Sequence, residues 1–276
     1  MRHYILTAAT TIAIGLSGAA WADNLSDIDQ VGVHTATVSQ DAGGNPASIN
    51  HSDIDQIGAT GGIANITQQA NAGTNDNTVS QNTAGGATNL ATINQTTSAA
   101  SLTNTSTVNQ TTNGVTTGAS PHANEATVIQ TGTGTSNTST ITQSNGNGHG
   151  NEANISQSAG ASTINESTVT QDGSSDDAVV DQNGNGNTNT VTIDQSGTNQ
   201  GTITQTGGGN TSTASITQTG DNTANLLQQG GGSINDSTVM QTGENSAVVN
   251  QSGGGLTNSS GVTQNGVGGS AIVNQL

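Results

Sequence analysis

The amino-acid sequence predicts an all-β protein, a two-sided β-solenoid of about ten coils with two strands in each coil. Three observations support this prediction. A short motif recurs in a constant phase along most of the 276 residues. Its copies alternate between two types. Glycine and asparagine, the residues that tight turns require, stand between the copies.

The N-terminal segment has the features of a secretory signal peptide. Residues 1–3 supply a positive start, residues 5–16 are mostly apolar, and Ala20-Trp21-Ala22 matches an A-x-A cleavage site. The apolar run is too short to cross a bilayer as a helix. We therefore expect residues 1–22 to be removed and residues 23–276 to form one exported repeat domain.

The composition of the predicted mature chain excludes several kinds of function. Without residues 1–22 the chain contains no Lys, Arg, Phe, Tyr or Trp, whereas all 18 carboxylates remain. Nucleic-acid recognition depends on basic and aromatic side chains, so we expect no nucleic-acid partner. Absence of cysteine excludes disulfides and thiolate metal sites. Low hydrophobicity with net negative charge is also typical of disordered chains, and only the repeat argues against disorder.

The motif is a glutamine preceded two residues earlier by Val, Ile or Leu. Twenty segments contain it, and asparagine stands six residues before the glutamine in fifteen of them. A disordered tract has no reason to keep such a phase. The segments end at Gln30, Gln40, Gln56, Gln68, Gln81, Gln95, Gln110, Gln130, Gln143, Gln157, Gln171, Gln182, Gln195, Gln205, Gln218, Gln228, Gln241, Gln251, Gln264 and Gln275.

The position four residues before the glutamine distinguishes two segment types. Even-numbered segments carry alanine there in nine cases and Gly201 in the tenth, whereas odd-numbered segments carry mostly serine. The structural unit is therefore a pair of strands, repeated ten times. From Gln195 onward the odd-segment glutamines recur with a period of 23 residues.

Turn signals separate the two strands of a pair. Glycine follows the odd-segment glutamine by two residues at Gly32, Gly58, Gly173, Gly197, Gly220, Gly243 and Gly266. Glycine accepts the left-handed backbone conformation that tight turns require. The longest insertion, between Gln110 and Gln130, contains Pro121 and is expected to form a loop.

Stacking is what makes such short strands stable. A single strand pair is marginal, but ten copies in one phase can pair coil on coil at about 4.8 Å, giving a rod about 48 Å tall. Odd strands then form one sheet, even strands form the other, and their inward faces meet. Over the last four coils the predicted core is Ile193, Ile203, Ile216, Leu226, Val239, Val249, Val262 and Val273.

The motif glutamines point inward with these apolar residues, because side chains two apart share a strand face. A buried amide without a partner costs roughly 1–3 kcal/mol. In register, each amide can donate to one neighbour and accept from the other, as in cross-β structures. We predict a structural amide ladder at Gln195, Gln205, Gln218, Gln228, Gln241, Gln251, Gln264 and Gln275, and a second ladder at the recurring asparagines.

The outward positions are mostly polar. The central outward residue of the odd strands is threonine or serine at Thr78, Thr107, Thr140, Thr168, Thr192, Ser215 and Thr238. An exposed β-sheet favours threonine for its own stability. The alternative is an ice-binding surface, since flat threonine arrays on β-solenoids serve that purpose. Asp27, Asp53 and Gly261 interrupt the column near its ends.

Two segments resemble a known repeat. Residues 218–228 (QTGDNTANLLQ) and 241–251 (QTGENSAVVNQ) resemble the curlin repeat, whose motif runs Gln-x-Gly-x-x-Asn-x-Ala with a second glutamine closing the strand. The turn is often one residue shorter here. The resemblance extends over residues 23–276 and implies a secreted subunit of curli-type functional amyloid fibres (fimbriae) on the bacterial surface, used in biofilm matrix and adhesion. It also implies possible partners: other copies of the chain, a nucleator subunit and an outer-membrane secretion apparatus.

The repeat array has no recognisable cap at either end. The first repeat begins at Asn24 and the last ends at Gln275. Monomeric solenoids generally need capping units, and open strand edges are templates for another chain. We therefore expect head-to-tail contacts that do not close and so produce a filament. The alternative is a monomeric secreted solenoid, either an adhesin or an ice-binding protein.

Four aspartates in the first two coils are candidate gatekeepers. Asp27 and Asp29 occupy the same outward positions as Asp53 and Asp55 one coil later. Stacking places these like charges roughly 5 Å apart, which would oppose assembly at neutral pH until acid or Ca²⁺ relieves the repulsion. Simple solubility is the other interpretation.

No catalytic constellation is visible. His34, His51, His122 and His149 have no repeated spacing, and His34 stands at an inward position where asparagine is usual, as expected for a packed neutral imidazole. The sequence lacks both the glycine–aspartate repeat of Ca²⁺-binding β-rolls and the lysine of a phosphate loop. The outward carboxylates form no sheltered pair for acid–base chemistry. We predict no enzyme activity, cofactor, metal site or small-molecule substrate.

Overall fold

The fold is all-β. A computed structural model describes residues 11–17, 23–41, 43, 48–71, 73–84, 87–98, 102–112, 124–133, 136–145, 150–160, 163–185, 188–208, 211–230, 234–253 and 257–275. The sequence-based statements on Pro121, His122 and His149 lie outside these ranges. The described residues contain no helix, hence no helix suited to crossing a membrane.

The strands are β1 (Thr11–Ser17), β2 (Asp23–Asp41), β3 (Ser48–Ala70), β4 (Gly73–Thr83), β5 (Asn89–Thr97), β6 (Thr103–Thr112), β7 (Asn124–Gly132), β8 (Ser136–Asn145), β9 (Asn151–Ala159), β10 (Ile164–Asp172), β11 (Asp177–Asn185), β12 (Thr188–Gly197), β13 (Gln200–Gly208), β14 (Thr211–Gln229), β15 (Ile234–Ser252) and β16 (Thr257–Gln275). Strands β2, β3, β14, β15 and β16 run through the turn and hold both segments of a coil. Strands β4 to β13 hold one segment each and pair up into the five remaining coils. The predicted two-sided solenoid is confirmed.

Every described strand pairing is parallel. Odd segments follow the order β2-β3-β4-β6-β8-β10-β12-β14-β15-β16, and even segments the order β2-β3-β5-β7-β9-β11-β13-β14-β15-β16. The motif glutamines stay in register, as in the series Gln195, Gln218, Gln241 and Gln264. Identical positions of successive coils are therefore neighbours along the rod.

The core is a thin layer between the two sheets. Each strand contributes one Ile, Val or Leu and, four residues before the glutamine, a small residue such as alanine or serine. Fully burying an aliphatic side chain of this size contributes about 1.5–3 kcal/mol. The predicted core residues from Ile193 to Val249 are buried, whereas Val262 and Val273 of the last coil are less enclosed.

The turns between odd and even segments depend on stacked glycines. Six of the seven predicted turn glycines have a positive φ, for example 106° at Gly220 and 104° at Gly243. A methyl group on Gly220 would lie 2.5 Å from the carbonyl oxygen of Gly243. The exception is Gly173, since in that longer turn the left-handed residue is Ser175, with φ 67°.

Strand β1 lies inside the predicted signal peptide. It pairs with the even segment of β2, from Thr11 opposite Thr35 to Ser17 opposite Asp41. While residues 1–22 remain attached, this strand therefore occupies the N-terminal edge of the even sheet. Cleavage at the predicted site would remove it.

Candidate functional site: the amide ladders and the end coils

A continuous ladder of glutamine amides runs along the even sheet. In every coil the Nε2 donates to the Oε1 of the equivalent glutamine in the next coil, from Gln40 to Gln275, at 2.7–3.4 Å. Gln205, Gln228 and Gln251 are fully buried within it. All the donors point toward the C-terminal coil, so the ladder has a direction.

The same amides also tie the two sheets together. Gln182 Nε2 donates to the carbonyl oxygen of Glu166 at 3.0 Å, and Gln228 Nε2 to that of Thr213 at 3.0 Å. Both acceptors belong to odd segments, whereas both donors are on even strands. Each glutamine therefore uses its two N–H groups in two directions, along the rod and across the core.

A second glutamine ladder runs along the odd sheet. It starts at Gln30, which donates to Gln56, and continues to Gln264 with separations of 2.6–3.1 Å. The amides of Gln241 and Gln264 have a second orientation, in which they donate to the carbonyl oxygens of Thr223 (3.3 Å) and Ser246 (3.1 Å). The predicted glutamines Gln195, Gln218, Gln241 and Gln264 all lie in this odd ladder.

The odd-segment asparagines form a ladder of opposite direction. Asn50 Nδ2 donates back to Asn24 Oδ1 at 2.9 Å, and the pattern continues to Asn189, which donates to Asn165 at 2.8 Å. Ser212 interrupts the series, and Asn258 donates to Asn235 at 3.1 Å in the last coil. Sequence reasoning predicted an asparagine ladder but not that it would run against the glutamines.

The residue six before each even-segment glutamine lies at the turn, where it can form hydrogen bonds both with the next coil and within its own turn. Asn222 Oδ1 accepts from the backbone N–H of Asn245 in the next coil at 3.1 Å, and Asn222 Nδ2 donates to the carbonyl of Thr219, three residues earlier, at 2.9 Å. Asn245 repeats this, accepting from Gly269 N and donating to Thr242 O. We call this column the turn ladder; it comprises His34, Gly62, Asn89, Asn124, Asn151, Asp176, Asn199, Asn222, Asn245 and Gly269.

His34 fills the asparagine role in the first coil. It is buried, its Nδ1 accepts from the backbone N–H of Gly62 at 3.0 Å, and its Nε2 lies 3.0 Å from the carbonyl oxygen of Val31, again three residues earlier. An Nδ1 that accepts carries no proton, so the fitting form is the neutral Nε2–H tautomer. The imidazole thus supplies the same acceptor and donor as an amide.

Asp176 is the member of the turn ladder that sequence reasoning missed. Its side chain is 1 % exposed, and its Oδ1 accepts from both the backbone N–H (2.9 Å) and the Nδ2 (3.0 Å) of Asn199. Burial raises the pKa of Asp176 to about 6, although the bonds from Asn199 act in the opposite direction. An aspartate six residues before Gln182, where asparagine is usual, was the available signal.

The four candidate gatekeepers lie together on the outer face of the first coils. Asp27 is in register with Asp53, and Asp29 with Asp55. Burial raises the pKa of Asp55, and the negative charges of Asp29 and Asp53 raise it further. Among the residues in the described ranges, no three His, Asp or Glu side chains are grouped so as to hold a metal ion.

The two end coils differ from the interior ones. In β16, Gln264 and Gln275 are only partly buried, and Gln275 Nε2 donates to the carbonyl of Ser259 at 2.8 Å. No described residue covers the far side of this strand. At the opposite end, Gln30 Oε1 is buried and accepts no hydrogen bond from the part of the chain that the structure describes. The C-terminal coil therefore lacks a neighbouring coil among the described residues, and the N-terminal coil holds a glutamine acceptor without a donor.

Comparison with known protein families found a match within the repeat array. Residues 165–197, which comprise most of β10 and all of β11 and β12, match the family model of the curlin associated repeat. No curated protein matches the chain. The family match supports assignment of the chain to the curlin-repeat family.

Proposed function

We propose that this curlin-repeat chain is a secreted structural subunit that polymerises head-to-tail into curli-like extracellular amyloid fibres on the surface of a bacterium. The observation that carries the proposal is the direction of the amide ladders. In the even ladder every glutamine donates toward the C-terminal coil, and in the N-terminal coil Gln30 Oε1 has no hydrogen-bond donor among the described residues. Contact between two identical ends would leave amide groups unpaired, whereas contact between opposite ends can pair donors with acceptors.

The two end coils also match in sequence. When the β2 strand of a second copy stacks on β16, Asn24 meets Asn258, Gln30 meets Gln264 and Gln40 meets Gln275. Each pair continues a column that the subunit already contains. A head-to-tail contact of this type does not close and therefore generates a filament.

The function of the fibre follows from the family likeness. Curli-type fibres imply roles in biofilm matrix and surface adhesion, with a nucleator subunit and an outer-membrane secretion apparatus as partners. The gatekeepers Asp27, Asp29, Asp53 and Asp55 belong to this proposal, because their outward charges at the first coils oppose docking until they are neutralised.

Incubation of purified residues 23–276, followed by electron microscopy and fibre diffraction, tests the proposal. We expect unbranched fibres with a meridional reflection at about 4.7–4.8 Å, since strands would lie perpendicular to the fibre axis. A chain that stays monomeric at high concentration, or fibres without that reflection, would contradict head-to-tail stacking.

One observation favours a second candidate, a soluble ice-binding protein. Thr78, Thr107, Thr140, Thr168 and Thr192 are in register on five successive coils. They form a regular outward row of hydroxyl and methyl groups. Thermal hysteresis from a soluble monomer would favour this candidate, and its absence together with fibre formation would exclude it in favour of the fibre subunit.

A further inference from the structure

In the later coils the turn ladder uses a specific pair of atoms from its asparagine side chains. Asn222 and Asn245 show the requirement: an acceptor directed at the backbone N–H of the next coil, and a donor directed at the carbonyl of the residue that follows the odd-segment glutamine, Thr219 or Thr242. A neutral imidazole meets the requirement at His34. An ionised carboxylate cannot meet it, because it has acceptors only.

Asp176 occupies this position with one half of the requirement satisfied. Its Oδ1 takes the acceptor role toward Asn199. Its Oδ2 is buried and has no hydrogen-bond partner among the described residues. The turn of this coil is one residue longer, so the residue that follows Gln171 is Asp172 and Gly173 comes after it. A methyl group on Gly173 would lie only 3.1 Å from Asp176 Oδ2, so the unpartnered oxygen lies close to Gly173 within its own turn.

We propose that Asp176 is a proton-sensitive rung of the turn ladder: its protonated carboxyl donates from Oδ2 to a backbone carbonyl of its own turn, that of Asp172 or Gly173, and stabilises the sixth coil, whereas the ionised form leaves this rung incomplete. The step is an uptake of one proton by the carboxylate, with no other bond broken. It depends on the solenoid fold alone and holds whether or not the chain forms fibres.

The surroundings of Asp176 favour the protonated form. Among the described residues, the titratable neighbours are Asp172 and Asp177 at the two ends of its turn and Glu152 on the preceding coil, where His149 lies outside the described ranges. The turn of the following coil, residues 196–200, contains no titratable residue, and the chain has no lysine or arginine after Arg2. All these charged neighbours are negative, so none of them compensates an ionised Asp176.

The direction of the pH effect follows from the buried carboxyl. Its pKa in the folded chain is about 6, above the ordinary value of 3.8. Its contribution to stability is therefore complete below about pH 4 and is lost as the pH rises through about 6. A shift of this size changes the unfolding equilibrium constant by up to roughly a hundredfold.

The test compares the full chain with its Asp176→Asn variant, kept monomeric at low concentration, in urea unfolding from pH 4 to pH 7.5. Asparagine supplies the missing donor, so we expect the variant to fold and to be more stable than the original chain at pH 7. Between pH 4 and pH 7.5 the unfolding constant of the original chain should rise by up to about a hundredfold more than that of the variant. Infrared spectra at pH 5 should show a stronger protonated carboxyl band in the original chain than in the variant.

Two further variants separate this inference from simple relief of charge. Asp181→Asn removes an exposed charge from β11, the strand that follows Asp176, and should leave the pH dependence nearly unchanged. Asn199→Asp places a carboxyl one rung further and should create a second loss of stability as the pH rises. The inference is wrong if Asp176→Asn and the original chain share one pH profile, or if Asp181→Asn shifts that profile equally.

Discussion

At the scale of single residues, the hydrogen bonds of the glutamine amides stabilise the thin core. The Nε2 of Gln205 donates to Gln228 at 2.8 Å and to the carbonyl of Thr190 at 3.3 Å, while its Oε1 accepts from Gln182 at 3.0 Å. All of these partners lie on another coil or on the facing sheet. The amide is therefore tolerated inside only because the coils are stacked.

Replacing one interior amide should expose this dependence. Gln205→Leu keeps the apolar bulk but leaves the ladder atoms of Gln182 and Gln228 without their partner, so we expect a loss of about 2–4 kcal/mol in the free energy of unfolding. Urea unfolding measures it. Thr204→Leu, on the outer face of the same strand, is the control and should change stability by less than about 0.5 kcal/mol. Equal effects would show that the ladder contributes nothing specific.

The gatekeeper aspartates give a prediction about charge. Asp27→Asn combined with Asp53→Asn should shorten the lag of fibre assembly several-fold at neutral pH, because one stacked pair of like charges disappears. Asp221→Asn with Glu244→Gln removes another stacked acidic pair far from the first coils and serves as the control. If the Asp27/Asp53 variant has an unchanged lag, or the Asp221/Glu244 variant shortens it equally, these aspartates contribute only to solubility.

Lowering the pH should shorten the assembly lag of the original chain, as the aspartate substitutions do. The pKa of Asp55 is raised above its ordinary value by burial and by its acidic neighbours. A carboxyl of this kind favours the folded coil below the unfolded pKa of about 3.9 and opposes it as the pH rises through the folded value. Lowering the pH toward 4 should therefore shorten the lag, measured by thioflavin fluorescence, and the Asp27/Asp53 double variant should respond less.

At the scale of the structural element, the turn decides whether the strands can stack at all. Gly197, Gly220 and Gly243 lie in register and all have a positive φ. Each turn packs directly against the backbone of the next, which leaves no room for a side chain. The recurring glycine is thus required both by its conformation and by the approach of its neighbours.

Gly220→Ala tests this requirement. The methyl group would meet the carbonyl oxygen of Gly243 at 2.5 Å in a conformation that L-residues rarely adopt, so we expect a loss of at least about 1–3 kcal/mol in unfolding free energy. Gly261→Ala is the matched control, since no atom lies within 4 Å of its added methyl group and it has no positive φ. Similar urea midpoints for the two variants would contradict the close-packed turn.

At the scale of the whole molecule, the described solenoid is a rod with two unlike ends. Interior coils have a neighbour on each side, whereas β16 pairs only with β15. The core residue Val262 is 6 % exposed there, while its equivalent Val239 is fully buried. The surface that a further coil would cover is therefore already shaped like the interior.

A charge placed on that surface should block growth without unfolding the subunit. Val262→Lys puts an unpaired ammonium where the next copy would dock, and burying it is costly. We expect elongation from preformed seeds to slow by at least about tenfold. Thr263→Lys adds the same charge to the outer face and should elongate almost normally. If both variants elongate alike, β16 is not a docking surface.

Several features could be predicted from the sequence because they depend only on spacing. A period of two residues places glutamine beside Val or Ile on the inner face, and recurrence at 23 residues places equivalent residues on top of each other. The ten coils and the inward glutamines follow from these facts. So does the position of His34, which replaces asparagine at a recurring place.

Only the tertiary structure decided which atom of each amide faces which neighbour. The opposed directions of the Gln and Asn ladders, the bonds from Gln182 to the facing sheet, and the pairing of β1 with β2 all join residues far apart in sequence. Spacing identifies the column of a side chain but not the carbonyl it meets. For that reason the sequence does not distinguish Asp176 from the other seventeen acidic residues. The structure distinguishes it, because its Oδ2 is buried and has no hydrogen-bond donor among the described residues.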